Sequence, residues 1–90
     1  MSKQMQSVKE SLYRKYGLRC EVCGRELKRK ELTGHHIVPK RIGGGISEKN
    51  ILIACYECHF GRINYIEYNS EEYWELMEKS LRHRTEKPTS

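Results

Sequence analysis

Four cysteines and three histidines carry the chemistry open to this chain. Cys20 and Cys23 form one Cys-x-x-Cys pair and Cys55 and Cys58 a second. His59 follows the last cysteine directly, and His35 and His36 stand side by side between the pairs. Thiolates separated by two residues can face one ion from a tight knuckle, and four of them close a tetrahedral zinc site of the structural kind. A redox dithiol expects one such pair beside a βαβ pattern; this chain has two pairs and no such pattern. A mixed cysteine–histidine site is the other alternative, but four thiolates already satisfy zinc. The two pairs are too far apart for a simple zinc ribbon, so the insert between them must be a folded excursion that returns.

The histidines suit a different task. Hydrolysing a phosphodiester needs a nucleophilic water, stabilisation of negative charge and help for the leaving oxygen. An imidazole with a pKa near 6.5 is substantially neutral at about pH 7, so it can take a proton from water or bind a divalent ion. Adjacent side chains on a strand point to opposite faces, so neighbouring histidines can divide those two roles. Each piece also has a plainer reading. A lone histidine in a small basic protein is usually a surface residue or a core hydrogen-bonder, and His83 is read that way. Asn50 could be an ordinary turn residue, and Gly43–Gly45 an ordinary flexible loop. Their occurrence together, in one order, argues against coincidence.

The elements that must position these residues can be read from periodicity and breakers. Met5, Val8, Leu12 and Tyr16 recur on one face of a helix over 3–16, stopped by Gly17. A metal knuckle at Cys20–Gly24 and a charged connector at Arg25–Lys30 follow. Leu32–Val38 reads as a strand ended by Pro39, Lys40–Asn50 as a loop, and Ile51–Ala54 as a short buried strand. A helix is expected from Tyr56 to Tyr68, burying Phe60, Ile63 and Ile66. After a break at Asn69–Ser70, Ser70 caps a last helix with Glu71 and Glu72 in its first turn. Tyr73, Trp74, Met77 and Leu81 form its apolar stripe, read as docking onto the domain. The expected organisation is one domain, 1–84, with a core motif at 20–62, flanking helices at 3–16 and 70–84, and a disordered tail at 85–90.

Composition sets the frame. The chain has 90 residues, 17 Lys+Arg against 12 Asp+Glu, a formal charge of +5 and 37% apolar residues. Such a chain builds a thin core and needs a staple, which the cysteines supply. Its longest apolar stretch, Ile51–Ala54, is too short to span a membrane. Met1–Tyr16 lacks the apolar run of an export signal, so a reducing cytoplasm, and thiolate-bound zinc in place of disulfides, is expected. The positive balance points to an anionic partner, with nucleic acid the usual one.

Taken in order, Cys20-x-x-Cys23, Gly34-His35-His36-Ile37-Val38-Pro39, Gly43-Gly44-Gly45, Asn50-Ile51-Leu52 and Cys55-x-x-Cys58-His59 resemble the HNH endonuclease family. The resemblance runs from Cys20 to about Arg62. It implies a small α+β fold, the ββα-metal finger: a two-stranded antiparallel hairpin and a helix, braced by a four-cysteine zinc site and here flanked by N- and C-terminal helices. It further implies His36 as general base, His35 and His59 as ligands of a catalytic divalent ion, and Asn50 as the residue that pins the glycine loop and orients the base. The implied activity is metal-dependent DNA cleavage leaving 5′-phosphate and 3′-hydroxyl ends, in a bacterium or a phage-infected host. The chain departs from the family pattern in four places. Ile51 replaces Leu, the loop has one extra glycine, and His35 stands where many relatives have an acidic residue. Ile63 stands where some relatives have a further histidine. The catalytic ion could be magnesium, manganese, nickel or cobalt, and a nitrogen ligand moves the preference away from magnesium. With two protein ligands, that ion should bind weakly without DNA.

Lys40, Arg41 and Arg62 are the expected phosphate contacts, with Arg25, Lys28, Arg29 and Lys30 a second basic cluster or only a solvated connector. Sequence preference should be low, and specificity would have to come from a protein partner or a homodimer. The main rival is a non-catalytic zinc-stabilised nucleic-acid-binding module. A third reading is an adaptor using an exposed Tyr73 and Trp74.

Overall fold

Ile51–Cys55 is the least polar run of the chain, and it forms a strand buried along its whole length. This strand, β2, pairs antiparallel with β1, Leu32–His36, in a register that sets Leu32 opposite Cys55, Gly34 opposite Ile53 and His36 opposite Ile51. The computed structural model describes residues 3–86 and builds three helices around this hairpin: α1 (Lys3–Tyr16), α2 (Tyr56–Gly61) and α3 (Glu71–Glu86). Residues 87–90, most of the expected tail, lie outside the described residues, and α3 carries the chain helically through Glu86.

α1 packs against β2, and α2 against both strands. The core joins Leu12 and Tyr13 of α1, Leu32 of β1, all of β2, Ile63, and Tyr73, Leu76 and Met77 of α3. α1 ends as its sequence dictates: Gly17 takes φ +93° and donates its N–H to the Tyr13 carbonyl at 2.8 Å, a C-terminal cap that a side chain would oppose. Gly34 marks a close approach, where a Cβ would meet Met5 Sδ at 2.9 Å. At the start of α3, Ser70 Oγ accepts from the Tyr73 N–H at 3.1 Å, as its capping position predicts.

Two elements differ from the reading of periodicity. β1 stops at His36, short of Val38, because the Val38 N–H turns to the Asn50 side chain and leaves the ladder. The helix after the second knuckle spans only Tyr56–Gly61, followed by a 3-10 turn at Ile63–Tyr65. Gly61 is a weak helix former, and Arg62 leaves helical geometry at φ −135°. Phe60 is consequently 51% exposed, whereas Ile63 is buried and Ile66 partly so. The inward position of Cys58 fixes the rotation of α2, and Phe60, two residues on, points nearly opposite.

On α3, Tyr73 is 2% exposed and Met77 equally enclosed, with Leu76 and Ser80 widening the buried stripe. Trp74 lies at the edge and donates its Nε1–H to Asn69 Oδ1 at 2.8 Å. An adaptor built on an exposed Tyr73 is therefore not available. No helix among the described residues is long and apolar enough to cross a membrane.

Candidate active site and zinc cluster

The two knuckles meet at the base of the hairpin. The four sulfurs of Cys20, Cys23, Cys55 and Cys58 lie within 4.8 Å of one another, all four as free thiols, as a closed zinc site requires. Each knuckle is shaped by an N–H···S contact, Cys23 N–H to Cys20 Sγ and Cys58 N–H to Cys55 Sγ, both at 3.4 Å. Burial pushes the Cys20 and Cys58 thiols up, so holding four thiolates here calls for a cation. Arg25 reaches across with Nη2 3.6 Å from Cys55 Sγ and also pairs with Glu57.

The hairpin and α2 bring His35 and His59 together, with ring centroids 5.1 Å apart and planes at 70°. Strand alternation places Thr33 and His35 on the same face of β1. Thr33 Oγ1 lies 2.8 Å from His59 Nδ1 and donates to the Ala54 carbonyl at 2.8 Å. His35 Nε2 lies 2.8 Å from the Tyr73 hydroxyl, which donates to the Ile37 carbonyl at 2.6 Å. Phe60 lies flat on the His59 ring at 4.5 Å. Burial, then the neighbouring His59 and His36, lowers His35 to about 4, and burial lowers His59 as well. Both rings are thus held neutral, the form that can bind a metal ion. Among the described residues no third His, Cys, Asp or Glu joins this pair.

His36 is the next residue of β1 and faces the other way. Its Nε2 is buried without a hydrogen-bond partner. Asn50 fixes the backbone just beyond it. Its Oδ1 accepts from Val38 N–H at 2.8 Å, and its Nδ2 donates to the carbonyls of Val38 at 3.1 Å and Gly45 at 2.9 Å. Its own carbonyl accepts from Ile37 N–H at 2.8 Å. The side chain thereby ties the glycine loop to the end of the histidine strand. Within that loop Gly44 has the least room: a Cβ there would sit 1.7 Å from the Val38 carbonyl oxygen, whereas Gly45 has open space and Gly43 takes a left-handed φ of +102°.

Lys40 and Arg41, in a 3-10 turn, and Arg62, at the end of α2, are exposed, and none has an ion-pair partner among the described residues. Arg41 lines a pocket of about 190 Å³ with His35, Asn64, Tyr68 and Tyr73. Two members of the second basic cluster are otherwise engaged: Arg25 with Glu57, and Arg29 with Glu10.

Three contributors carry little or no direct signal in the sequence. Thr33 could have been found from its position two before His35 on an alternating strand. Tyr73 belongs to an apolar stripe, which says nothing of where its hydroxyl points. Glu21, inside the first knuckle, is 2% exposed in its side chain and receives Arg84 and His83 from α3, at 2.6 and 2.7 Å. His83 is therefore a hydrogen-bonder, as expected. The Glu21–Arg84 pairing has no local signal, because 63 residues separate its members.

Residues 20–62 match the family model of the HNH endonucleases. No curated protein and no solved structure matched.

Proposed function

We propose, taking residues 20–62 as an HNH endonuclease domain, that this chain is a metal-dependent nuclease that hydrolyses DNA phosphodiester bonds and leaves 5′-phosphate and 3′-hydroxyl ends. The observation that carries the reading is the meeting of His35 and His59 at 5.1 Å, from a strand and a helix, with His36 next along the strand on its opposite side. A binding module needs no such division of histidines. His35 and His59 supply nitrogen donors. A divalent ion bound between them would stabilise the charge of the phosphate and of the leaving oxygen. His36 takes the proton of the attacking water, and Asn50 holds the strand end that aims it. Lys40, Arg41 and Arg62 contact phosphates, which position the duplex and carry no sequence information. Sequence preference is accordingly low, and a protein partner or a second copy would supply specificity. Nitrogen donors favour manganese, nickel or cobalt over magnesium. Four cysteines kept as thiolates for one zinc ion suit the reducing cytoplasm of a bacterium or a phage-infected host.

The test is plasmid nicking. Zinc-loaded protein and its His36→Ala variant are incubated with supercoiled plasmid and Mg²⁺, Mn²⁺, Ni²⁺, Co²⁺ or a chelator. Nicking by the wild type alone, only with added metal, is the expected result. DNA binding without nicking under every metal would replace this reading with a zinc-stabilised binding module. Equal nicking by both proteins would remove His36 from the role of base.

A further inference from the structure

His35 and His59 each have one ring nitrogen engaged by a hydroxyl, and each hydroxyl has its own hydrogen committed elsewhere. Tyr73 has one hydroxyl hydrogen. Its oxygen lies 2.6 Å from the Ile37 carbonyl oxygen, which can only accept, so the hydrogen goes there. Toward His35 Nε2, at 2.8 Å, the same oxygen must then accept. His35 therefore carries its hydrogen on Nε2 and its lone pair on Nδ1. The opposite choice would hold two oxygens at 2.6 Å with no hydrogen between them. Thr33 repeats the logic with the nitrogens exchanged. Its hydrogen goes to the Ala54 carbonyl at 2.8 Å, so its oxygen accepts from His59 Nδ1–H at 2.8 Å, and the lone pair of His59 is on Nε2.

We infer that Tyr73 and Thr33 are positioning residues that hold the two histidines in opposite tautomers, offering His35 Nδ1 and His59 Nε2 to a divalent ion. The inference rests on reading His35 and His59 as ligands, and it extends the centre to α3, beyond residues 20–62. A neutral imidazole has a single lone pair, so binding through a given nitrogen requires the hydrogen to be on the other. An imidazole without such a partner divides between two tautomers and two ring orientations, and binding must then select one. With only two protein ligands, each such selection weighs on affinity directly. Partners that orient metal-binding histidines in this way typically carry about 10–100-fold in metal affinity.

Two measurements on zinc-loaded protein test this. The first is the ¹⁵N NMR tautomer assignment of His35 and His59 in the wild type without added metal. Hydrogens on His35 Nε2 and His59 Nδ1 are expected; either hydrogen on the other nitrogen overturns the inference. The second is Mn²⁺ binding followed by electron paramagnetic resonance, because manganese does not compete for thiolates. Tyr73→Phe and Thr33→Val keep the shape and remove the hydroxyl, and zinc content and circular dichroism check that each remains folded. Each should bind Mn²⁺ about 10–100-fold more weakly and lose the single tautomer of its histidine. Unchanged affinity and tautomer in folded variants would overturn the inference. Both readouts are independent of cleavage. The expected tautomers and affinities in a protein that cuts no DNA would support this inference while defeating the nuclease reading. Cleavage by a protein with reversed tautomers would do the opposite.

Discussion

Arg84, in the last turns of α3, grips Glu21 in the first cysteine knuckle: Nε and Nη2 reach the two carboxylate oxygens at 2.7 and 2.6 Å. The same guanidinium donates to the carbonyls of Glu48 at 2.7 Å and Ile51 at 2.9 Å, and it lies 5.4 Å from the centre of the Tyr16 ring. One side chain thus ties the C-terminal helix to the knuckle, to the loop before β2 and to α1. Glu21 in turn accepts from Ile53 N–H at 2.8 Å and from His83 at 2.7 Å. Arg84→Met would leave a buried carboxylate short of its main partner and should cost about 3–5 kcal/mol in urea unfolding of zinc-loaded protein. Adding Glu21→Gln should recover much of that loss. A single variant within about 0.5 kcal/mol of wild type would show that the clamp is dispensable.

The glycine loop predicts an asymmetry between neighbours. Gly44→Ala drives a methyl into the Val38 carbonyl and Asn50 Nδ2, so the tie that holds the end of the histidine strand must give way. A loss of about 1–3 kcal/mol or more and of metal-dependent nicking is expected. Gly45→Ala meets open space and should stay within about 0.5 kcal/mol of wild type with its activity kept. Equal tolerance at both positions, in stability and nicking assays, would contradict this packing.

Acid should act through His35. Burial, then His59 and His36, holds its folded pKa at about 4, against about 6.5 in the unfolded chain. Between those values the unfolded state binds a proton that the folded state refuses. The contribution is fully present above about 6.5 and is lost as pH falls toward 4. Unfolding measured at pH 7 and pH 5 should show a smaller decline for His35→Gln than for wild type, since both share the titration of the cysteines. An NMR titration with His35 protonating near its ordinary value would refute the burial argument.

Zinc should decide whether the chain folds. The binding energy of a structural four-cysteine site, roughly 10–16 kcal/mol in zinc peptides, exceeds what a domain this thin stores in its core. Chelation at neutral pH, or Cys58→Ser, should abolish helical circular dichroism, and added zinc should restore it to the chelated wild type. A chelated chain that keeps its spectrum and cooperative melt would mean that the apolar core suffices.

Salt dependence should sort the basic residues. Replacing Lys40, Arg41 or Arg62 by Ala should lower the slope of log affinity against log salt by about one each, without a stability change. Arg25→Ala, whose guanidinium serves Glu57 and Cys55, should lower stability and leave the slope alone. Fluorescence anisotropy with a short duplex at several salt concentrations, alongside thermal melts, separates the two groups.

The sequence by itself determined what local spacing can determine. Each Cys-x-x-Cys pair folds into a knuckle closed by its own N–H···S contact, Gly17 ends α1, and Ser70 caps α3. Each of these is a short-range geometric requirement that only a few residue types meet. Strand alternation likewise separates His35 from His36 before any coordinates are known. The tertiary structure alone decided the rest. Phe60 faces out because the cysteines, and not its own hydrophobicity, set the rotation of α2. The Tyr73 hydroxyl meets His35, and Arg84 meets Glu21, across 38 and 63 residues of chain. A hydroxyl on an apolar stripe and a charge near a terminus have no periodicity that names their partners. Only the docking of α3 on the hairpin assigns them, because a hydrogen bond depends on where two atoms finish in space.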